Sequence, residues 1–268
     1  MCINFPALAG QFEVIPDSTR VFVFGNHLIK TVLFINSFIA MTLLRRLLAA
    51  LRRARYPGSI AYWEKRYAAG GSSGSGSSGR LAEYKAGWMN RFIRENNIQS
   101  IVELGCGDGQ QLLLAEYPEY LGLDVAPSAV ARCRELFAGD PAKRFERYDP
   151  YHFDPATAQA DLAISLEVIF HLTEEDIYRL HLAHLFACAR HWVVIFASDA
   201  VDTSEGPFPH FRQRRFTEDV PVGWILLERV PNPNRDISVS NFFVFARAGH
   251  IFQATNNTTT ASAPATKP

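Results

Sequence analysis

Neither sign of charge is in excess in this chain: 27 Lys+Arg stand against 27 Asp+Glu, a formal net charge of zero over 268 residues. Such a balance supplies no field that draws a protein to a nucleic-acid backbone, so nucleic acid is not expected as a partner. Cysteine is sparse as well. Cys2, Cys106, Cys133 and Cys188 are scattered, with no pair at metal-ligand spacing. That argues against a zinc module or a disulfide-stapled secreted domain and for reduced thiols in the cytoplasm. The eight histidines make no zinc pattern either. His181 and His184 fall close together on a predicted helix, but no second ligand pair succeeds them, so a solvated helix face is expected there and no bound metal.

Long apolar runs are also missing. The nearest approach is 28–44, where Lys30, Asn36 and Ser37 interrupt a stretch that would need roughly 20 mostly apolar residues to span a bilayer. The charged start and small-residue cleavage site of a signal peptide are absent from the first residues. What the chain does have is apolar content, 48% hydrophobic against 20% charged, which is enough for a globular core.

The ends differ from the middle. Residues 1–40 fit poorly with the rest of the chain, and Met41 is a candidate native start. Over 41–56, Leu43, Leu44, Leu47, Leu48 and Leu51 recur at helical spacing among Arg45, Arg46, Arg52 and Arg53. This basic amphipathic helix has two open readings: peripheral contact with an anionic membrane surface, or docking of its leucine face on its own domain. From 249 to 268 the sequence is polar and of low complexity, as a disordered tail would be. The main domain is expected over 57–248. Within it, 70–79 (GGSSGSGSSG) reads by composition as a flexible linker, the alternative being a Gly-rich lid beside a ligand.

Inside that domain helix-like and strand-like segments alternate. A helix is predicted over 80–95, then a strand over 100–103, a helix after the glycines of 105–109 and a strand over 120–124. A helix opened by Pro127 comes next, then strands over 144–148 and 162–166. A helix from Thr173, with Asp176 completing a capping-box-like start, runs to 190, and a strand covers 192–197. This is the spacing of β-α-β units on a parallel sheet. The end changes character, because 223–230 and 237–247 flank a Pro/Asn turn with no room for a helix, and should pair as an antiparallel hairpin.

The strongest chemical signal is Glu103-Leu104-Gly105-Cys106-Gly107-Asp108-Gly109 between a strand and a helix. Glycines there let the chain turn tightly and let a ligand approach backbone with no Cβ in the way. A dinucleotide fingerprint wants a small residue where Gln110 stands and has no need of the acid Glu103, so a compact cationic ligand without pyrophosphate suits the loop better. Asp124 closes the next strand, where a carboxylate accepts the hydroxyl protons of a ribose lying across the strand tips. Asp149 comes after a further strand, either to bond an adenine amino group or simply to initiate an Asp-Pro turn.

Together these residues resemble a class I S-adenosylmethionine-dependent methyltransferase over about 62–247. More narrowly, they resemble a bacterial group with a Trp-x-x-Arg-Tyr and Gly/Ser-rich lead-in, here Trp63, Arg66, Tyr67 and 70–79. Ser165-Leu166-Glu167-Val168-Ile169-Phe170-His171 and His210-Phe211-Arg212-Gln213-Arg214-Arg215-Phe216 carry the likeness further. The resemblance implies a Rossmann-like α/β fold, with a seven-stranded mostly parallel sheet, a C-terminal antiparallel hairpin and helices on both faces. It also implies S-adenosylmethionine as cofactor and assigns 70–79 to the site. Glu103, Gly105, Cys106, Gly107 and Gly109 would hold its methionine end, Asp124 and Val125 the ribose, Asp149 the adenine region, and Glu167 the amino group or the acceptor. His171 and His210 are the candidate bases, against a structural hydrogen-bonding role for either. Arg212, Arg214 and Arg215 are candidates for an anionic acceptor, against a solvated face. The expected reaction is methyl transfer to an oxygen or nitrogen of a small-molecule or glycan-type acceptor. The alternatives are a cofactor-binding module without turnover and a nicotinamide-dependent oxidoreductase.

Overall fold

The computed structural model describes residues 41, 55–200 and 208–250. All elements below belong to the unit 49–268. The expectations for 1–40, for the helix over 41–56 and for the tail lie outside the described residues, save Met41, Arg55, Tyr56, Gly249 and His250. Among the described residues no helix is long and apolar enough to cross a membrane.

The strands are β1 Ser100–Leu104, β2 Glu119–Asp124, β3 Lys143–Arg147, β4 Ala160–Leu166, β5 Ala189–Ala197, β6 Trp224–Val230 and β7 Asn241–Arg247. The helices are α1 Ser59–Ala68, α2 Gly79–Glu95, α3 Pro127–Leu136 and α4 Glu175–Cys188. The seven strands form one sheet in the order β3-β2-β1-β4-β5-β7-β6. β1 through β5 are parallel, and β7 runs antiparallel to both β5 and β6. The expected Rossmann-like sheet and terminal hairpin are therefore present.

Period-two alternation divides the strands between two apolar layers. Ile101, Leu162, Ile164, Val194, Phe196, Phe242 and Val244 face Leu81, Trp88, Met89 and Ile93 of α2. Val102, Leu104, Val193, Ile195, Phe243 and Phe245 face Ile177, Leu182, Leu185 and Phe186 of α4. Both sides of the central strands are thus sealed, and ligand access is left to the strand tips.

Three local expectations change. The helix predicted after the glycines is only a 3-10 turn, Gln111–Leu114. Pro118, which has no N–H to give a helix, and the start of β2 at Glu119 leave it no length. α4 starts at Glu175 behind Glu174, without a side-chain cap. The Glu174 carboxylate is engaged elsewhere, accepting from Ser59 N at 2.7 Å and Ser59 Oγ at 2.6 Å, which ties the start of α1 to that of α4. Finally, β7 begins at Asn241 rather than near 237. Asn232 Nδ2 donates to Ser238 O, and Asn232 N donates to the Asn241 side chain, drawing 237–240 into a loop over the strand tips.

Candidate active site

At the end of β1 the chain doubles back over β2. Gly105 N and Cys106 N donate to Leu123 O at 2.7 and 3.1 Å. Gly105 has φ +91°, and a Cβ there would lie 2.5 Å from Val168 Cγ2, so only glycine fits. Gly107, at φ +59°, lies directly under Ser73 Oγ. Its N–H donates to the Asp124 carboxylate at 2.9 Å, and Ala126 N donates to the same carboxylate at 2.9 Å. Asp124 therefore fixes the glycine turn while it faces the cavity.

That cavity has a volume of about 460 Å³, within the range of small-molecule sites. Gly105, Cys106, Gly107, Asp124, Val125 and Tyr148 line its β1–β2 side. Glu103, Glu167 and Lys85 line it towards α2, and Trp63, His171, His210 and Phe211 line the remainder. The Gly/Ser segment is not a tether. Ser73 donates to Asp108 through both N (3.0 Å) and Oγ (2.7 Å), and Asp108 N donates back to Ser73 Oγ at 3.1 Å. Arg66 Nε holds Ser72 O at 2.6 Å and Arg132 holds Gly71 O at 3.1 Å. Gly76 approaches Glu167 so closely that a Cβ would lie 2.9 Å from Oε2. Ser73→Ala, which removes one half of the Asp108 clasp, is expected to cost about 1–2 kcal/mol and to raise amide exchange over 70–79 without affecting β4 or β5.

Burial governs the electrostatics. Glu103, which accepts from Tyr120 OH at 2.6 Å, is pushed by desolvation up to about 7. Asp124 is pushed up to about 6 for the same reason, against the pull of its two backbone donors. Burial drives the Lys85 ammonium down from its ordinary value, while Glu167 and Glu103 oppose that shift. Glu167, at the tip of β4, has φ +64° and is held there by its N–H to Phe196 O and by Ser238 Oγ on its carboxylate. A bulky non-glycine residue held in that region is strain of the kind concentrated at functional sites. Cys106 is buried, and its neighbour Cys133 together with desolvation raises it well above the usual thiol range.

His171 and His210 come together in the cavity wall. His171 Nδ1–H donates to His210 O at 3.0 Å, which leaves Nε2 as the lone-pair nitrogen. Burial pushes His171 down to about 4, so it is neutral at pH 7. Its ring meets Trp63 edge-on at 4.9 Å, and His210 stacks on Tyr62 at 4.6 Å.

Other candidates lie elsewhere. Gly109 packs on Cys133 and Phe137 rather than lining the cavity. Asp149 does not line it either; its carboxylate accepts from Tyr151 N and pairs with His152, as a turn initiator would, and Tyr148 takes the cavity position. Arg212 and Arg214 donate to the Leu172 and Thr173 carbonyls, with Arg214 also lying over the Tyr178 ring. Arg215 pairs with Glu218. Arg212 and Arg214 brace the loop before α4, and none of the three arginines is among the cavity residues. His181 departs from the solvated-face expectation: it is buried, bonds Ser165 Oγ through Nε2 at 2.9 Å and reaches the cavity floor. Lys85, Tyr148, Ser198 and Ser240 are cavity residues that sequence reasoning missed. Of these, only Lys85 left a signal, as a cation on the apolar face of α2. Among the described residues no cluster of three or more His, Cys, Asp or Glu is arranged to hold a metal ion.

Comparison with known proteins agrees with this fold. A family model described as a methyltransferase domain matches residues 101–191. A small RNA 2'-O-methyltransferase of Arabidopsis thaliana is 28% identical over 109 residues, covering 36% of this chain; the chain spans only 12% of that relative's length. The fold is shared with the N-methyltransferase NodS from Bradyrhizobium japonicum bound to S-adenosyl-L-homocysteine (TM-score 0.58, 16% identity, 71% of this chain and 98% of that one). It is shared also with the methyltransferase domain of a bacterial Hen1 protein (TM-score 0.51, 18% identity, 63% and 99%). Magnesium protoporphyrin IX methyltransferase from Synechocystis with bound S-adenosylmethionine is a third such structure (TM-score 0.52, 13% identity, 72% and 99%). One expectation falls here. The exclusion of nucleic acid as a partner is overturned by the likeness to an RNA methyltransferase. The physical reason is that a net charge of zero is an average, and it does not forbid a local contact with one nucleotide. Sheet order and matched segment converge: residues 101–191 match a methyltransferase domain, and the chain shares the fold of S-adenosylmethionine-dependent methyltransferases.

Proposed function

We propose that this enzyme methylates an oxygen or nitrogen of a small-molecule or glycan-type acceptor, and that a hydroxyl is the group its site is built to serve. The observation that carries this reading is His171, a neutral imidazole in the cavity wall whose Nδ1–H is committed to His210 O. A base is required only when the acceptor atom is protonated at working pH, as a hydroxyl is and a neutral amine is not.

The cavity suits S-adenosylmethionine: polar atoms of Gln111, Ser198 and Ser240 are buried without a partner, and Gly105 and Gly107 offer bare backbone. The cofactor supplies an electrophilic methyl group on a sulfonium. Asp124 would bind its ribose, Val125 and Tyr148 would flank the nucleoside, and Glu103 and Glu167 would face its amino group. His171 would take the acceptor proton at Nε2, while Trp63, Tyr62 and His210 would orient the acceptor and exclude water. His171→Ala is expected to lower kcat roughly a hundredfold on a hydroxyl acceptor while leaving cofactor affinity within about twofold. An equal loss on an amine acceptor would count against the base role.

A second reading has its own support. The relative whose printed activity is 2'-O-methylation of small RNA points to a ribose hydroxyl as the acceptor. Labelled cofactor with two panels separates the readings: sugars and phenols on one side, and RNA oligonucleotides with or without a terminal 2'-hydroxyl on the other. Label in the first panel alone supports the small-molecule or glycan reading. Label in RNA that is lost with the 2'-hydroxyl supports the second. Cofactor binding with no transfer in either panel would favour a binding module without turnover.

A further inference from the structure

Among the described residues, Arg66 is the one arginine that lines the cavity. Spacings of three and four residues put Tyr62, Trp63 and Arg66 on one face of α1, and the guanidinium lies 5.6 Å from the Trp63 ring centroid. Trp63 also meets His171 at 4.9 Å and Tyr62 meets His210 at 4.6 Å, so Arg66 belongs to the acceptor end of the cavity. Its charge is felt at both imidazoles, where it adds to burial in holding His171 and His210 below their ordinary value. Nε donates to Ser72 O, which fixes the plane of the group. Neither terminal nitrogen has a hydrogen-bond acceptor or a carboxylate partner among the described residues. The cavity carboxylates are engaged elsewhere, Glu103 by Tyr120, Asp124 by the glycine turn and Glu167 by Ser238. Gly74 leaves the space beside Arg66 Nη2 open, for even a Cβ there would stand 3.8 Å away. A half-buried guanidinium with two uncommitted nitrogens in a concave site matches the paired oxygens of a carboxylate or a phosphate.

We propose that Arg66 determines acceptor specificity by binding a carboxylate or phosphate on the acceptor, so that the substrates are anionic hydroxyl compounds rather than neutral sugars or phenols. This deepens the proposed methylation of a hydroxyl and rests on it. An anion held by the two terminal nitrogens lies against Trp63 and turns the hydroxyl of the same molecule towards His171 Nε2. It also changes the base. While Arg66 is unpaired, its charge opposes a proton on His171; a bound carboxylate or phosphate cancels that charge, and the imidazole gains basicity only when the right acceptor is in place. In the step this serves, the acceptor oxygen bonds the methyl carbon as the carbon–sulfur bond breaks. Sulfur keeps that electron pair, and the hydroxyl proton passes to His171 Nε2. Selection for an anion is thereby expressed in kcat as well as in KM.

Transfer of labelled methyl to matched acceptor pairs tests it: 4-hydroxybenzoate against 4-hydroxybenzyl alcohol, methyl glucuronoside against methyl glucoside, and glucose 6-phosphate against glucose. The anionic member of at least one pair is expected to exceed its neutral partner about 30-fold in kcat/KM, and the pair that responds tells carboxylate from phosphate. Arg66→Gln is expected to shrink that preference to about threefold or less, and Arg66→Lys, which keeps the charge without the fork, to restore part of it. Calorimetry with S-adenosylhomocysteine should give both variants an affinity within about twofold of wild type, a result that a merely structural role in holding Ser72 and the Gly/Ser segment would not give. Equal use of neutral and anionic members, a preference that survives Arg66→Gln, or cofactor affinity that falls along with acceptor use would overturn the assignment. Transfer to neutral members alone would overturn it and leave hydroxyl methylation standing, whereas cofactor binding with transfer to no acceptor would remove both.

Discussion

Glu103→Gln is expected to make the cofactor-free protein more stable than wild type by about 3 kcal/mol at pH 8 and to leave it no more stable at pH 4. Glu103 titrates near 7 in the fold against an ordinary 4.5, because desolvation raises it more than Tyr120 and Lys85 lower it. A carboxylate raised in the folded state contributes stability in its protonated form. That contribution is full below about pH 4.5 and is lost as pH rises through about 7, at roughly 1.4 kcal/mol for each pH unit between those two values. Glutamine imitates the protonated form and escapes the loss. Cofactor binding runs the other way, because the ionised carboxylate is the form that accepts from an α-ammonium. Affinity for S-adenosylhomocysteine should therefore tighten about tenfold from pH 6 to pH 8 in wild type and stay nearly flat in the variant. Denaturant titrations at the two pH values check the first half, and calorimetry checks the second.

Asp124→Ala is expected to weaken cofactor binding by about 1–3 kcal/mol, since the ribose hydroxyls lose a buried acceptor. The variant also strips Gly107 N–H and Ala126 N–H of their partner, so part of the loss would come from a loosened glycine turn. Stability should change less than binding. Losing two buried hydrogen bonds costs a few kcal/mol, whereas removing a carboxyl pushed up to about 6 by burial relieves a cost of similar size above that pH. Asp124→Asn divides the effects, for its amide oxygen keeps one acceptor at the turn. Calorimetry on both variants beside thermal unfolding without ligand separates ribose binding from turn architecture. Unchanged affinity in Asp124→Ala would place the ribose elsewhere.

The parts of this site that were legible in the sequence are those encoded within a few residues. The strand end and glycine turn occupy contiguous positions from Glu103 to Gly109, Asp124 closes the next strand in chain order, and turn geometry tolerates few alternatives to glycine. The hairpin could be read because its two strands flank a Pro/Asn turn too short for a helix. What could not be read depends on where distant elements meet. Lys85, Ser198 and Ser240 converge only once α2 lies across the ends of β5 and β7. His181 looked solvated because neighbouring polar residues on a helix usually are, but Ser165 draws it inward. The arginines after His210 looked like an anion site, and free carbonyls before α4 claimed two of them instead. The Gly/Ser segment resembled a linker by composition, and its order comes from Asp108, more than thirty residues along the chain.

The most direct test of the account is a crystal structure of the protein with S-adenosylhomocysteine. The ribose should bond the Asp124 carboxylate, with the thioether over Gly105–Gly107 and the tip of β4 beside it. A cavity empty under saturating ligand, or a nucleoside bound away from the tips of β1 and β2, would contradict it.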